Sequence, residues 1–265
     1  MYDFNYHRPS SVDDAVAALG GAEDGKFVAG GQTLLPTMKQ RLASPSDLVD
    51  LGGIGNLTGI SSDAAGLTIG AMTTHAAVAA SEDVKSALPV LAALAEGIGD
   101  PQVRNRGTIG GSIANNDPAA DYPAACLGLG ATIVTSKRKI SADDFFTGLF
   151  ETALEDDEII TAVTFPIPEK AGYSKFPNPA SRYALVGVLV AKTGDGVRVA
   201  ITGAGQDGVF RANQMELALS SDYSAGALDG ESVDAGELLS DIHASAEYRA
   251  HLITVMAKRA VNASN

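Results

Sequence analysis

Two pairs of adjacent glycines, each within an otherwise apolar segment, constrain the fold of this chain more than any other feature. One pair lies in Ala29-Gly30-Gly31-Gln32-Thr33 and the other in Thr108-Ile109-Gly110-Gly111-Ser112. A glycine has no Cβ, so it tolerates positive φ angles and lets another group approach the backbone closely. Consecutive backbone N–H groups in such a loop can bind an anion, and a neighbouring hydroxyl adds a donor. Two loops of this kind could hold one diphosphate from both sides.

The surroundings of the two pairs differ. The first follows an apolar strand predicted at 26–29 and precedes a helix predicted at 34–42, so a helix N-terminus could face a phosphate there. The alternative is a strand-to-helix turn in which glycine serves only the conformation. The second pair is predicted inside a strand at 108–113, where glycine usually indicates a bulge or the close approach of another group.

The composition excludes several classes of function. The 265 residues include 19 Lys and Arg against 32 Asp and Glu, and this formal charge of −13 argues against nucleic acid as a main partner. No apolar run approaches the roughly 20 residues that span a bilayer. The N-terminal residues lack an export pattern, so a cytoplasmic location is expected.

Cysteine and histidine usage limits the redox chemistry. Cys126 is the single cysteine, which excludes an internal disulfide or an iron–sulfur cluster formed by these residues alone. The four histidines include no pair at metal-ligand spacing, so no metal site is predicted. Any redox function would therefore use an organic cofactor.

The pattern of predicted elements indicates an α+β protein in three parts: 1–53, 54–168 and 169–265. The first part reads as a small β-α-β-α-β unit whose first helix begins after Ser10 or Ser11. The second combines short strands with alanine-rich helices. The third contains two strands joined by the hairpin turn 193–196 and ends in a helix predicted at 241–263.

A literal G-x-G-x-x-G occurs at 203–208, but we do not interpret it as a dinucleotide fingerprint. That fingerprint needs a strand, the glycine turn and a helix within a crossover of parallel strands. Here the preceding strand is joined by a tight hairpin, so a loop in an antiparallel sheet is predicted.

The polar segment 115–121 follows the second glycine pair and allows two interpretations. Its asparagines and aspartates could bind ribose or ribityl hydroxyls. They could equally form an Asx-turn and cap the helix that follows Tyr122.

The chain resembles the FAD-binding medium subunits of molybdenum hydroxylases, the family of carbon monoxide, xanthine and aldehyde dehydrogenases and aldehyde oxidases. Within that family it is most similar to the carbon monoxide dehydrogenase type. The segments that carry the resemblance cover most of the chain in the family's order: 29–41, 104–124, 157–166, 173–188 and 246–261.

The resemblance implies a vanillyl-alcohol-oxidase-type (PCMH-type) FAD-binding fold with a C-terminal antiparallel sheet packed on a helical bundle. FAD would lie between the first two parts. Asp121 would hydrogen-bond the cofactor, the backbone near Ile160 would face adenine, and Lys175 would lie near the flavin ring. Tyr183 would pack near the isoalloxazine, although a tyrosine at a strand start also suits a core. The loop residues implied for the diphosphate are Ala29, Gly30, Gly31, Gln32, Thr33, Leu34, Thr108, Ile109, Gly110, Gly111 and Ser112.

The resemblance also implies an oxidoreductase subunit without a catalytic residue of its own. A large molybdopterin-type subunit and a small [2Fe–2S] subunit would accompany it in a dimer of heterotrimers, and FAD would pass electrons to an external acceptor. Two alternatives stay open. One is a stand-alone FAD-dependent oxidase or reductase with the same cofactor fold, and the other is a structural subunit without cofactor.

Other polar residues are given structural roles. We expect Arg104 and Arg106 to make local contacts, Cys126 to be buried, and His75 to lie at a helix cap. The acidic residues Asp143, Asp144, Glu155, Asp156, Asp157 and Glu158 are predicted to be solvated surface.

Overall fold

The computed structural model describes residues 1–64 and 66–264 of the chain. Its N-terminal part is a three-stranded parallel sheet of order β1-β3-β2 with two helices. The Ser11 hydroxyl accepts a hydrogen bond from the Asp14 amide, which confirms the predicted start of the first helix. The elements are β1 (Asn5–His7), α1 (Val12–Gly20), β2 (Gly25–Val28), α2 (Leu34–Lys39) and β3 (Asp47–Asp50).

The middle part contains a five-stranded antiparallel sheet of order β4-β5-β10-β6-β7 and a separate hairpin, β8-β9. The strands are β4 (Ile60–Asp63), β5 (Gly66–Gly70), β6 (Thr132–Thr135), β7 (Lys139–Ser141), β8 (Phe146–Gly148), β9 (Glu151–Thr152) and β10 (Ile160–Phe165). The helices are α3 (His75–Ala80), α4 (Glu82–Ala87), α5 (Pro89–Glu96), α6 (Pro101–Arg104), α7 (Ile109–Asn115), α8 (Asp121–Leu129) and α9 (Ala142–Phe145).

The strand predicted at 108–113 is wrong, because this segment begins helix α7. Thr108 has an extended backbone, and its hydroxyl accepts a hydrogen bond from the Gly111 amide, as a helix N-cap does. A Cβ on Gly110 would lie 2.6 Å from the Ala71 side chain. Glycine therefore permits the helix to pack directly against the end of β5.

The C-terminal part is a four-stranded antiparallel sheet of order β11-β12-β13-β14 covered by helices. The hairpin turn at 193–196 is confirmed, and the glycines of the G-x-G-x-x-G lie at a second hairpin, between β13 and β14. The last helix begins five residues later than the predicted 241, because the Asp241 carboxylate holds a turn at the amides of 243 and 244. The elements are β11 (Lys170–Pro177), β12 (Ala184–Thr193), β13 (Gly196–Gly205), β14 (Gly208–Arg211), α10 (Asn213–Ser221) and α11 (Ala246–Asn262).

Helix α8 joins the middle and C-terminal parts. All nine of its residues are buried, and it contacts α5 and α7 on one side and β12 and β13 on the other. A helix that is apolar on every face suits this position. Within the described ranges, no helix combines the length and apolarity needed to cross a bilayer.

Candidate functional site

The two glycine pairs lie side by side. A Cβ on Gly30 would lie 2.2 Å from the Arg106 carbonyl oxygen, and a Cβ on Gly111 would lie 3.3 Å from the Ala29 Cβ. Any side chain at Gly30 would therefore force the loops apart. This convergence is the relationship that the sequence predicted for the two segments.

Two cavities adjoin at the two loops. The larger cavity has a volume of about 530 Å³ and the smaller about 140 Å³. Gly30, Thr33, Gly111 and Asn115 line both cavities. The loops thus form the boundary between two compartments of one elongated site.

The loops differ in the donors that they offer to a ligand. The amides of residues 31–34 make no hydrogen bond to another described residue, and Gly31 has a φ of +71°. In the second loop the Ile109 amide donates to Thr73 O and the Gly110 amide to Ala71 O. With the Gly111 amide donating to Thr108, only the first loop presents free consecutive amides.

The second loop contributes space and a hydroxyl instead. The Ser112 side chain lines the smaller cavity, and its hydroxyl makes no hydrogen bond within the described part of the chain. The missing Cβ of Gly111 leaves room for a ligand beside the first loop. The amides of residues 109–112 are not available to a ligand, because they start a helix and donate to carbonyl and hydroxyl oxygens of the chain itself.

Most of the predicted site residues line the two cavities. Ile109 and Lys175 do not: the Ile109 side chain is fully buried in the core, and Lys175 lies behind Asp121. The predicted residues in the larger cavity are Ala29, Gly30, Gly31, Thr33, Leu34, Gly110, Gly111 and Ile160. Those in the smaller cavity are Gly30, Gln32, Thr33, Thr108, Gly111, Ser112, Asp121 and Tyr183.

The larger cavity has a mainly apolar wall, which suits a flat heteroaromatic ring. Its apolar residues include Phe27, Val28, Leu51, Met72, Ile159 and Ile160.

One acid at the rim of this cavity, Glu158, contradicts the surface prediction. Its side chain is buried, accepts a hydrogen bond from Thr135 at 2.6 Å and pairs with Arg138 at 3.1 Å. Although burial opposes ionisation, the Arg138 and Thr135 hydrogen bonds lower the pKa of Glu158 to about 2. Glu158 thus fixes the segment that leads into β10, whereas Asp143, Asp144, Glu155 and Asp156 are exposed as predicted.

The smaller cavity contains two carboxyl groups. Asp121 is buried, with Tyr173 donating to one oxygen at 2.5 Å and Lys175 to the other at 2.9 Å. Burial raises the pKa of Asp121, and the Lys175 ammonium opposes that rise. Burial also raises the pKa of Asp117, whose carboxylate accepts from the Ala119 amide. The half-exposed Tyr183 completes this wall, and its pKa is raised by burial and by the two carboxyl groups.

The Asx-turn predicted in the segment 115–121 is confirmed, and the contact with cofactor hydroxyls stays a prediction. Asp117 forms the Asx-turn and also lines the smaller cavity with Asn115 and Asp121. The predicted side-chain cap is wrong, because the residue before α8 is Ala120. Asn116 has a structural role: its amide donates to the carbonyls of Gly148 and Glu151 and ties the β8-β9 hairpin to α7.

His75 is a cavity residue that sequence reasoning missed. Thr74, not His75, caps α3. The imidazole is buried beside the smaller cavity, and this burial, together with Arg104, lowers the pKa of His75 to about 4. Its Nδ1 and the Tyr122 hydroxyl are buried with no hydrogen-bond partner among the described residues. In the sequence, the position of His75 after two threonines indicates only a helix start. Its burial depends on residues distant in the sequence, so the pattern does not predict a place in the cavity wall.

The structural roles expected for Arg104 and Cys126 agree with the geometry, whereas the Arg106 side chain is exposed and its local contact stays a prediction. Arg104 donates to the carbonyls of Ile98 and Gly99, and Cys126 is fully buried, which raises the pKa of its thiol. No cluster of three or more metal-ligating side chains occurs in residues 1–64 and 66–264.

The site has the features needed for a dinucleotide cofactor. The free amides of the first loop, beside Gly30 and Gly111, suit a diphosphate, and a cavity of different character lies on each side of these residues. Residues 2–168 match the family described as the FAD binding domain in molybdopterin dehydrogenase. This chain belongs to that family. FAD is accordingly its cofactor.

Curated relatives match over nearly the whole chain. The nicotine 6-hydroxylase medium subunit of Paenarthrobacter nicotinovorans is 39% identical and covers 97% of this chain and 95% of that protein. The carbon monoxide dehydrogenase medium chain of Afipia carboxidovorans is 37% identical over the same shares of the two chains. One relative is named as the medium subunit of a hydroxylase and the other as the medium chain of a dehydrogenase.

Solved structures confirm the expected vanillyl-alcohol-oxidase-type fold. Reconstituted CO dehydrogenase from Oligotropha carboxidovorans matches with a TM-score of 0.90 and 35% identity, covering 99% of this chain and 97% of that chain. Quinoline 2-oxidoreductase from Pseudomonas putida 86 matches with a TM-score of 0.88 and 31% identity, covering 98% and 96%.

Proposed function

We propose that this chain relays electrons through FAD, from the [2Fe–2S] clusters of a partner subunit to an external acceptor, within a carbon monoxide dehydrogenase-type molybdenum hydroxylase. The observation that carries the proposal is the meeting of two cavities at the paired glycine loops, where the amides of residues 31–34 make no hydrogen bond to another described residue. Its relatives among carbon monoxide dehydrogenase medium chains support the type of enzyme.

The two cavities suggest how FAD lies across the glycine loops. The amides of residues 31–34 would hold the diphosphate, with the Ser112 hydroxyl as a further donor. The apolar larger cavity would take the adenine beside the backbone of Ile160, and the flavin would lie at the smaller cavity with Asp121 and Tyr183. Lys175 would then act on the flavin through Asp121 rather than by direct contact.

The partners belong to the same proposal. FAD carries one or two electrons at a time, so it can link iron–sulfur clusters to a two-electron acceptor. A single buried cysteine cannot bind a [2Fe–2S] cluster, so the clusters and the molybdopterin would be held by a small and a large subunit in a dimer of heterotrimers. The division of the chain into three parts at 53/54 and 168/169 stays a prediction, which the separate sheets on either side of these boundaries support. The cytoplasmic location also stays a prediction.

The test uses two bulky substitutions in the glycine loops. Gly31→Val would strain a backbone with positive φ, and Gly111→Val would fill the space beside Ala29. Each variant should lose the flavin absorbance of the purified complex. The control is Gly55→Val, because a Cβ at Gly55 has no neighbour within 4 Å. Retention of flavin in both loop variants would overturn the proposed site.

A second measurement addresses the relay. The flavin should be reduced by the substrate only when the partner subunits are present. Turnover of small alcohols or amines by this chain alone would instead favour a stand-alone oxidase.

A further inference from the structure

The segment 117–121, which forms one wall of the smaller cavity, is held from behind by the C-terminal sheet. The Thr202 hydroxyl lies 2.7 Å from Ala120 O and 3.0 Å from Pro118 O. The Gly203 amide donates to Pro118 O at 2.7 Å, and the Ala184 amide donates to Ala119 O at 3.3 Å. Three consecutive carbonyls of the segment thus receive donors from the ends of β12 and β13.

Gly203, the first glycine of the G-x-G-x-x-G, is required for this contact. Its φ is +84°, and a Cβ there would lie 2.4 Å from Ala184 O. Only glycine adopts this conformation without strain while its amide meets Pro118. The motif that is unsuitable for nucleotide binding therefore has a role at the back of the cofactor site.

Arg249, from helix α11, fixes the strand ends that make these contacts. Its guanidinium is buried and donates to Leu185 O at 2.7 Å and Gly203 O at 2.6 Å. The same group pairs with Asp241 at 2.8 Å. A buried arginine is costly unless it is paired and hydrogen-bonded, so its partners fix its position. The contacts form a continuous path from α11 through Gly203 to Pro118 and the cavity wall.

Asp117, Ala120 and Asp121 of the segment line the cavity, and two of them carry carboxyl groups. A shift of the backbone at Pro118 or Ala120 would move both carboxyl groups relative to a ligand. Tyr173 and Lys175, which hold the Asp121 carboxylate, also belong to the C-terminal sheet. The C-terminal part therefore holds both the backbone of this wall and the Asp121 carboxylate that lies in it.

We propose that Thr202 and Arg249 are positioning residues for the flavin, acting through the segment 117–121. This rests on the proposed function, because it takes the smaller cavity as the flavin end of the site. Neither residue lines the larger or the smaller cavity, so each would act on the flavin without contacting it.

The test compares Thr202→Val with Thr254→Val in the assembled holoenzyme. Both threonines donate from the C-terminal part to a backbone carbonyl, but Thr254 binds Glu231 O, away from the site. Loss of one positioning hydrogen bond should make FAD dissociate about tenfold more readily and should shift the flavin midpoint potential in Thr202→Val. Thr254→Val should change only the melting temperature, and Thr202→Ser, which keeps the hydroxyl, should restore FAD affinity and potential.

Arg249→Lys provides a second variant. A lysine keeps the charge but cannot donate to all three acceptors of the Arg249 guanidinium, which are Leu185 O, Gly203 O and the Asp241 carboxylate. FAD affinity should therefore fall in Arg249→Lys as well. Equal FAD affinity and potential in wild type, Thr202→Val and Arg249→Lys would overturn the proposal.

A double-mutant cycle tests the route. If Thr202 acts through the segment, then Thr202→Val and Asp121→Asn should weaken FAD binding by less together than the sum of their separate effects. Additive effects would contradict the route. A different result would overturn the proposed function itself: unchanged FAD affinity in Asp121→Asn and in Gly31→Val, as well as in the positioning variants.

Discussion

The Lys175 ammonium lies 2.9 Å from the Asp121 carboxylate; the Asp121 side chain is buried, and the Lys175 side chain is 10% exposed. Asp121 faces the smaller cavity, whereas Lys175 lies behind it and also donates to Gly97 O. The sequence resemblance placed Lys175 near the flavin ring itself. In the structure its ammonium pairs with Asp121, so we expect any influence of Lys175 on a ligand in the cavity to act through that carboxylate.

Replacing Lys175 with Met should leave an unpaired carboxylate in the interior. We expect a loss of about 3–5 kcal/mol in the free energy of unfolding, measured by urea titration at neutral pH. Adding Asp121→Asn should recover part of that loss, because the buried charge is removed with its partner. If the two losses simply add, the ion pair is not the interaction that stabilises this wall.

The two hydroxyls of the second glycine loop should have separable effects. Thr108 caps α7, so Thr108→Val should lower the free energy of unfolding by about 1 kcal/mol. Ser112 lines the cavity without a partner in the described chain, so Ser112→Ala should leave stability nearly unchanged and weaken FAD binding up to about tenfold. Calorimetric melting and FAD titration distinguish the two. The reverse pattern would place the cofactor donor at Thr108.

Much of the fold follows from local chemistry that the sequence shows directly. The Ser11 cap needs only residues 11–14, and the turn at 193–196 needs only its own glycines. The same holds for the first glycine loop, whose free amides follow from a strand-to-helix turn. Within such short segments, sequence and structure agree.

The errors occur where distant partners decide the outcome. Residues 108–113 are a short apolar run that suits a strand or a helix equally, and contacts with Ala71 and Thr73 select the helix. Glu158 lies in a run of acids typical of a surface, but Arg138, twenty residues earlier, makes its burial possible. The place of Lys175 near the flavin stays a prediction, but its pairing with Asp121, 54 residues away, has no local signal in the sequence.

Glu158 predicts a loss of stability in acid. Since its pKa is lowered to about 2 in the folded chain from 4.5, its contribution is present above pH 4.5 and is lost as the pH falls toward 2. The wild type should lose up to about 3 kcal/mol across that window, and Glu158→Gln should show a correspondingly flatter profile. Glu155→Gln is the control, since it removes an exposed pair with Lys137 and should change stability by less than about 1 kcal/mol. Parallel profiles for wild type and Glu158→Gln would show that the carboxylate titrates as an exposed group.

The buried His75 should make the free energy of unfolding depend on pH in a higher pH range than Glu158 does. Its folded pKa is about 4 and its ordinary value 6.5, so between these pH values the unfolded chain binds a proton that the folded chain excludes. Stability should therefore fall as the pH drops from 6.5 to 4, by up to about 3 kcal/mol. His75→Phe keeps a ring beside Tyr122 but cannot titrate, so its advantage over wild type should grow on acidification.

His251→Gln, at an exposed position on α11, controls for the loss of any histidine. Urea unfolding at several pH values measures the difference, and a constant gap between wild type and His75→Phe would show that the imidazole is not held neutral by burial.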